Sequence, residues 1–224
     1  MLPAILLPSL ALSEGLRVAP VSFEVAAPGA TANLTLRNEG ASPITVQARV
    51  FSWTQNGQEH LTPTRDVVVS PPITQLAPGA VQTVRIVRTS RQRVEGEEAY
   101  RLFVDELPDQ SRRGGATVSF VSRLRIPVFF VQPNATVPTV SWRILQQGGQ
   151  SWLEATNRGQ IHLKLADMSL LSGNKATFRQ NGLFGYALGG STMRWPLQRR
   201  AGGGQLSLSA KTNLGPYRGA VGGG

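Results

Sequence analysis

From Val18 to Pro133, apolar and polar residues alternate in short runs, each closed by turn-forming residues. Strand-prone segments fall at 21–25, 32–36, 44–53, 65–69, 80–87, 99–106 and 117–131. Between them stand Pro28-Gly29, Asn38-Glu39-Gly40, Asn56-Gly57, Pro71-Pro72 and Pro78-Gly79. A two-residue period puts successive side chains on opposite faces of a pleated strand. Gly, Pro and Asn at the junctions supply the dihedrals that reverse the chain. Strands at this spacing predict an immunoglobulin-like sandwich. No window sustains a 3.6-residue apolar period, so the expected fold class is all-β.

Beyond a linker at Gln132-Pro133-Asn134-Ala135, weaker strand candidates follow at 139–145, 152–156, 162–169, 185–188, 193–197 and 205–210. They are divided by Gln147-Gly148-Gly149, Asn157-Arg158-Gly159, Gly173-Asn174 and Gly189-Gly190. This organisation predicts an N-terminal domain over 14–134 and a C-terminal domain over 135–224, a sandwich of about 100 residues each. The glycine-rich tail from Gly215 is expected to fray. Residues 1–13 read as the apolar core of a signal peptide cut near Ser13 or Glu14, although the usual basic leader is missing, and they predict export. The stretch is too short and too proline-interrupted to span a bilayer.

Composition narrows the chemistry. With 41% hydrophobic residues among 224, a packed core is expected, and the 24 Gly and 15 Pro fit short strands and turns. The absence of cysteine excludes disulfides, zinc fingers, iron–sulfur clusters and thiol nucleophiles. His60 and His162 fall in separate domains, so neither a shared metal site nor a catalytic triad is indicated. Glu95, Glu97, Glu98, Asp105 and Glu106 read as solvated charges rather than a glycosidase pair, and there is no P-loop. No enzyme, cofactor, metal or small-molecule substrate is implied. The net charge of +10 comes from 23 basic residues, of which only Lys164, Lys175 and Lys211 are lysines. The charge is dispersed and lacks interleaved aromatics, which argues against nucleic acid. An acidic protein partner or an anionic membrane surface is the milder implication.

Residues 117–126 form the longest uninterrupted strand-like run. Val118, Phe120, Ser122, Leu124 and Ile126 fall on one face; Thr117, Ser119, Val121, Arg123 and Arg125 fall on the other. Taken alone, this is an ordinary sandwich strand with one buried face. Pro127 has no N–H to give a ladder, so the strand should lie at an edge or change partner there. A long edge strand invites pairing with another chain.

Several blocks, in order, resemble the periplasmic fimbrial chaperones of the PapD-like class. They are Leu34-Thr35-Leu36-Arg37-Asn38, Val50-Phe51-Ser52-Trp53, Ser70-Pro71-Pro72, Leu76-Ala77-Pro78-Gly79, Gln82-Thr83-Val84-Arg85-Ile86, Glu97-Glu98-Ala99-Tyr100-Arg101-Leu102, Glu106-Leu107-Pro108 and Arg123-Leu124-Arg125-Ile126-Pro127-Val128-Phe129. The second half matches more loosely, at Gly185-Tyr186-Ala187-Leu188 and Gly190-Ser191-Thr192-Met193-Arg194-Trp195. The resemblance implies two immunoglobulin-like domains in an L-shaped arrangement and a periplasmic chaperone that binds pilus subunits 1:1. It also implies delivery of those subunits to an outer-membrane usher.

In such a chaperone the last strand of the first domain completes a client that lacks one strand, a form of β-augmentation. Val118, Phe120 and Leu124 then correspond to donated apolar side chains, with Ser122 a small interruption. Better-known relatives hold the client's terminal carboxylate with an Arg and a Lys. Pro127 stands where that Lys is expected, a form that resembles the alternative or archaic branch. Arg17, Arg88, Arg123 and Arg125 are the anchor candidates here, because a guanidinium suits bidentate carboxylate capture. Arg85 and Glu97 correspond to a structural charge cluster at the domain junction. The alternative is a structural pilus subunit or an adhesive immunoglobulin-like module. A subunit should lack a strand, whereas the first domain here carries a full set.

Overall fold

The computed structural model describes residues 15–108, 122–197 and 205–223. All regular structure among them is β-strand. One sheet of the first domain is ordered β1 (Leu16–Ala19), β3 (Thr31–Asn38), β8 (Val81–Arg88), β6 (Val67–Ser70). The other runs β2 (Phe23–Ala26), β10 (Arg123–Val131), β9 (Glu97–Leu107), β4 (Ile44–Gln55), β5 (Glu59–Pro63), with β7 (Ile73–Leu76) pairing the start of β4. Alternation makes the core. Leu34 and Leu36 on β3 and Val84 and Ile86 on β8 turn inward to meet Leu102, Val104, Val128 and Phe130 of the facing sheet. Each such side chain adds about 1.5–3 kcal/mol when buried.

The second domain is ordered β14 (Lys175–Ala187), β13 (Leu163–Ser172), β16 (Leu206–Thr212), β17 (Gly215–Gly223), β11 (Val140–Gln147), β12 (Gln150–Asn157), β15 (Thr192–Leu197). Trp142, Leu153, Leu165, Met168, Leu170, Trp195 and Leu208 fill its core. The glycine-rich tail departs from expectation. It forms β17, antiparallel to β16 along its length and parallel to β11 at Arg143↔Gly222 and Ile144↔Gly223. Tyr217 and Val221 carry its alternation, and the Tyr217 hydroxyl accepts a hydrogen bond from Trp142 Nε1 at 3.0 Å. Small residues hide that period in the sequence.

Both domains use one device at the end of a strand. Asn38 donates to the carbonyls of Ser42 and Leu76 and accepts from Gly40 N–H, at 2.8, 3.0 and 2.9 Å. Asn157 donates to Ile161 and Ala187 and accepts from Gly159 N–H at 2.8, 3.0 and 2.9 Å. The Asn-x-Gly turns therefore enclose a buried amide that ties three chain segments together. At Gly159 a Cβ would stand 2.1 Å from the Val137 carbonyl oxygen, so a side chain cannot replace that hydrogen.

The domains meet over an aromatic cluster. Phe129 and Trp53 of the first domain are buried against Tyr186 and Leu188 of the second. The Arg101 guanidinium lies 3.5 Å from the Trp53 ring centroid and 5.1 Å from that of Tyr186. Gln55 receives Leu188 N–H and Ser191 Oγ on its oxygen and donates to the Tyr186 carbonyl. Gly57, at φ 74° in the β4–β5 turn, adds a main-chain bridge to β15: its N–H meets Thr192 O at 2.8 Å and its oxygen accepts from Arg194 N–H at 3.0 Å. Paired, desolvated groups of this kind fix an interdomain geometry more than they stabilise it.

Candidate functional site

Strand β10 is flanked unequally. β9 pairs it along its whole length, from Arg123↔Asp105 to Val131↔Glu97, whereas β2 pairs it only from Val128 to Val131. The strand therefore gains its second partner at Pro127, immediately ahead of the Val128↔Phe23 register. Main-chain groups of successive residues point to opposite edges of a strand, and two hydrogen bonds fix the phase. Glu106 N–H donates to Ser122 O at 3.0 Å on the β9 side, and Ala27 N–H donates to Val131 O at 2.8 Å on the β2 side. Even-numbered residues of β10 thus face β9. The N–H and C=O of Arg123 and Arg125 face an edge that no other described strand occupies, whereas the C=O of Pro127 faces Phe23, where the β2 ladder begins. Pro127 falls on the phase where a missing N–H costs the domain no ladder bond.

The side chains divide by the same parity. Leu124 is half-buried against the first-domain core, and Ile126 is buried within it. Ser122 is exposed. Val118 and Phe120 lie outside the described residues. On the opposite face Arg123 Nε donates to Asp105 Oδ1 at 2.6 Å, and Arg49 Nη2 donates to Asp105 Oδ2 at 2.5 Å. Burial works to raise the Asp105 carboxyl, but the hydrogen bonds from both guanidinium groups outweigh it and hold the group below its ordinary value. Arg125 pairs with Glu59, which also receives Arg101 Nε at 3.2 Å. Burial pulls the Arg101 guanidinium below its ordinary value against the pull of Glu59. Phe103 packs beneath both outer arginines, 5.9 Å from Arg123 and 5.2 Å from Arg125. Arg123 and Arg125 therefore stand side by side beside the open edge, 61% and 48% exposed, each steadied by a carboxylate.

The other expected site residues lie apart from this edge. The Arg88 side chain is only 8% exposed and gives Nε and Nη2 to Glu98 at 2.7 and 2.6 Å, with Nη1 and Nη2 also reaching the carbonyls of Ser90 and Gln92. With every guanidinium nitrogen engaged inside the chain, Arg88 serves the fold. Its hydrogen bond to Glu98 raises its pKa. Arg17 is exposed on β1, where Nη1 meets Glu39 at 3.1 Å.

The charge cluster of Arg85 and Glu97 does not form. Arg85 points outward from β8 in one sheet, while Glu97 opens β9 in the other and is buried at the domain junction. The partner of Glu97 is His162, whose Nδ1 lies 2.6 Å from Oε2 and whose backbone N–H donates to Oε1 at 3.1 Å. The His162 ring also stacks on Phe129 at 3.7 Å. Sequence reasoning missed this pair because its members stand 65 residues apart with no local signature. Among the described residues no group of three or more His, Asp or Glu is placed to hold a metal ion.

Comparison with solved structures finds the same fold. The CsuC–CsuE chaperone–tip adhesion subunit complex, from archaic chaperone-usher Csu pili of Acinetobacter baumannii, matches with a TM-score of 0.74 at 24% identity, covering 94% of this chain and 99% of the other. The SafB–SafA chaperone–pilin complex of Salmonella enterica matches at 0.64 and 18%, covering 92% and 96%. The E. coli chaperone DraB matches at 0.63 and 21%, covering 92% and 95%. No curated sequence matches the chain. The family model for pili and flagellar-assembly chaperones, PapD N-terminal domain, matches residues 15–136. Since that match takes in over half of the chain, with β1 to β10 and the open edge inside it, the protein belongs to the pili and flagellar-assembly chaperones.

Proposed function

We propose that the protein is a periplasmic chaperone that binds pilus subunits by lending them the open edge of β10 and delivers them to an outer-membrane usher. The single observation that carries this reading is the edge itself: the N–H and C=O groups of Arg123 and Arg125, unpaired within the described chain. Left free, such an edge is an aggregation hazard. Paired with a client that lacks a strand, it supplies main-chain hydrogen bonds, while alternate side chains supply specificity. On the phase of Leu124 the chain continues back through Ser122 to Phe120 and Val118, the residues proposed to fill the client's groove. Arg123 and Arg125 flank the same edge, and each is bound through only part of its guanidinium fork. They are better placed to take a client carboxylate than Arg17 or Arg88. The archaic-branch assignment agrees with Pro127 in place of a lysine.

Nothing in this mechanism calls for catalysis or a cofactor, since release comes by exchange of one strand for another. A pilus-subunit reading is disfavoured by β10 and β2 together, which complete the first sandwich from within. The test is to mix the purified protein with a strand-deficient pilus subunit. A 1:1 complex that protects the amides of Arg123 and Arg125 from hydrogen exchange is expected; a subunit that remains aggregated and unbound refutes the reading.

A further inference from the structure

The outer face of the β1-β3-β8-β6 sheet carries a charge pattern that folding does not require. Register places Arg17 of β1 directly opposite Arg37 of β3, and Val81 of β8 beside Arg37. Four residues further along β8 stands Arg85, about 14 Å away at a strand's rise per residue. Side chains on this face alternate with the buried set of Leu34, Leu36, Val84 and Ile86. No Asp or Glu occurs on the outward phase of the four strands, and only Glu39, just past the end of β3, reaches across to pair with Arg17. Among the described residues neither Arg37 nor Arg85 has an ion-pair partner. In the other sheet of the domain, by contrast, Glu59, Glu97, Glu98 and Asp105 are each matched by a cation or His162. The domain is therefore polarised, with these carboxylates matched on one sheet and the guanidinium groups of Arg37 and Arg85 without ion-pair partners on the other.

Like charges directly opposite on neighbouring strands destabilise a sheet, so the Arg17–Arg37 row has no structural benefit. Arg17, Arg37 and Arg85 are all exposed on this face. It also presents Val68 and Val81, which are 41% and 56% exposed, among the arginines. Exposed guanidinium groups on one sheet face, with short apolar side chains between them, complement a surface of phosphates. A guanidinium fork meets phosphate in a bidentate manner. We infer that this sheet face docks the protein on an anionic phospholipid surface, with Arg17, Arg37 and Arg85 contacting headgroup phosphates.

The test is co-sedimentation of the free full-length protein with vesicles of phosphatidylglycerol and phosphatidylcholine, against vesicles of phosphatidylcholine alone. Binding should require the anionic lipid and weaken on raising salt from 0.15 to 0.5 M, as the Debye length shortens. Each basic residue at such a surface contributes about fivefold in partitioning. Single Arg37→Ser and Arg85→Ser variants should each lose about fivefold, and the triple variant with Arg17→Ser about 100-fold. All three positions are exposed, so thermal melts should be unchanged. A control Arg179→Ser/Arg218→Ser variant, exposed on the second domain, should bind like wild type.

Equal binding to neutral vesicles, or a triple variant that binds as wild type does, overturns the proposal. So does a face that ignores vesicles and is instead titrated by an acidic protein, or one saturated by millimolar inorganic phosphate in place of lipid. Because no client is present, these outcomes are independent of the open edge of β10.

Discussion

The phase of β10 makes a prediction that separates main chain from side chain. Replacing Arg125 with proline removes an N–H that faces the open edge, and no bond to β9 is lost. Pro127 already occupies the same phase two residues on. The domain should tolerate the change, losing little more than Arg125→Ala, which also removes the half-exposed pair with Glu59 worth at most about 1 kcal/mol. In a complex the client carbonyl opposite residue 125 would be buried without its donor, at about 1–3 kcal/mol, or about 5- to 150-fold in Kd. The assay is subunit affinity by competition, with a thermal melt for each variant. Arg125→Ala reports the guanidinium, and the further loss in Arg125→Pro reports the amide. Leu124→Pro is the counterpart: its N–H faces β9, so proline there removes a ladder bond, leaves a β9 carbonyl without its donor and should destabilise the chaperone itself by about 1–3 kcal/mol. If Arg125→Pro binds its client as tightly as Arg125→Ala while both fold normally, the open edge is not the client site. If Leu124→Pro is the better-folded of the two prolines, the assigned phase is wrong.

Two further perturbations address the domain junction and the arginine clamp. Glu97→Ala leaves the His162 ring nitrogen Nδ1 and backbone N–H without their acceptor in a buried setting, both side chains being nearly inaccessible, and should cost about 1–3 kcal/mol. Calorimetry checks the loss, and an unchanged melt would remove the pair from any role in joining the domains. Asp105 is held below its ordinary pKa by Arg49 and Arg123. A depressed carboxyl stabilises above its unfolded value, near 4, and loses that contribution as pH falls through the folded value. Asp105→Asn should accordingly lower the melting temperature at pH 7 and converge on wild type in strong acid; a pH-independent difference would contradict the clamp.

Strands with one face on a core were legible because their alternation is written in large residues, as in Leu34-Thr35-Leu36 and Val84-Arg85-Ile86. β17 was not, because Gly and Ala dilute its period and only Tyr217 and Val221 mark it. β1, β5 and β7 span four or five residues each, too few for alternation to stand out from a loop. Asn38-Glu39-Gly40 and Asn157-Arg158-Gly159 were readable as turns. The burial of their amides was not, since it depends on the carbonyls of Leu76 and Ala187, 38 and 30 residues away.

Strand β10 shows how much a change of pattern within one run can carry. Arg123, Leu124 and Arg125 alternate, and then Ile126, Pro127, Val128, Phe129 and Phe130 are buried without interruption. A strand loses its period when both faces are covered. Here Ile126, Val128 and Phe130 enter the first-domain core, while Phe129 faces the other way into Trp53, His162 and Tyr186 at the junction. The end of alternation therefore marks where β2 and the second domain close over the strand. The portion before Pro127 is the one left open for another chain, and the portion after it is committed to holding the two domains together.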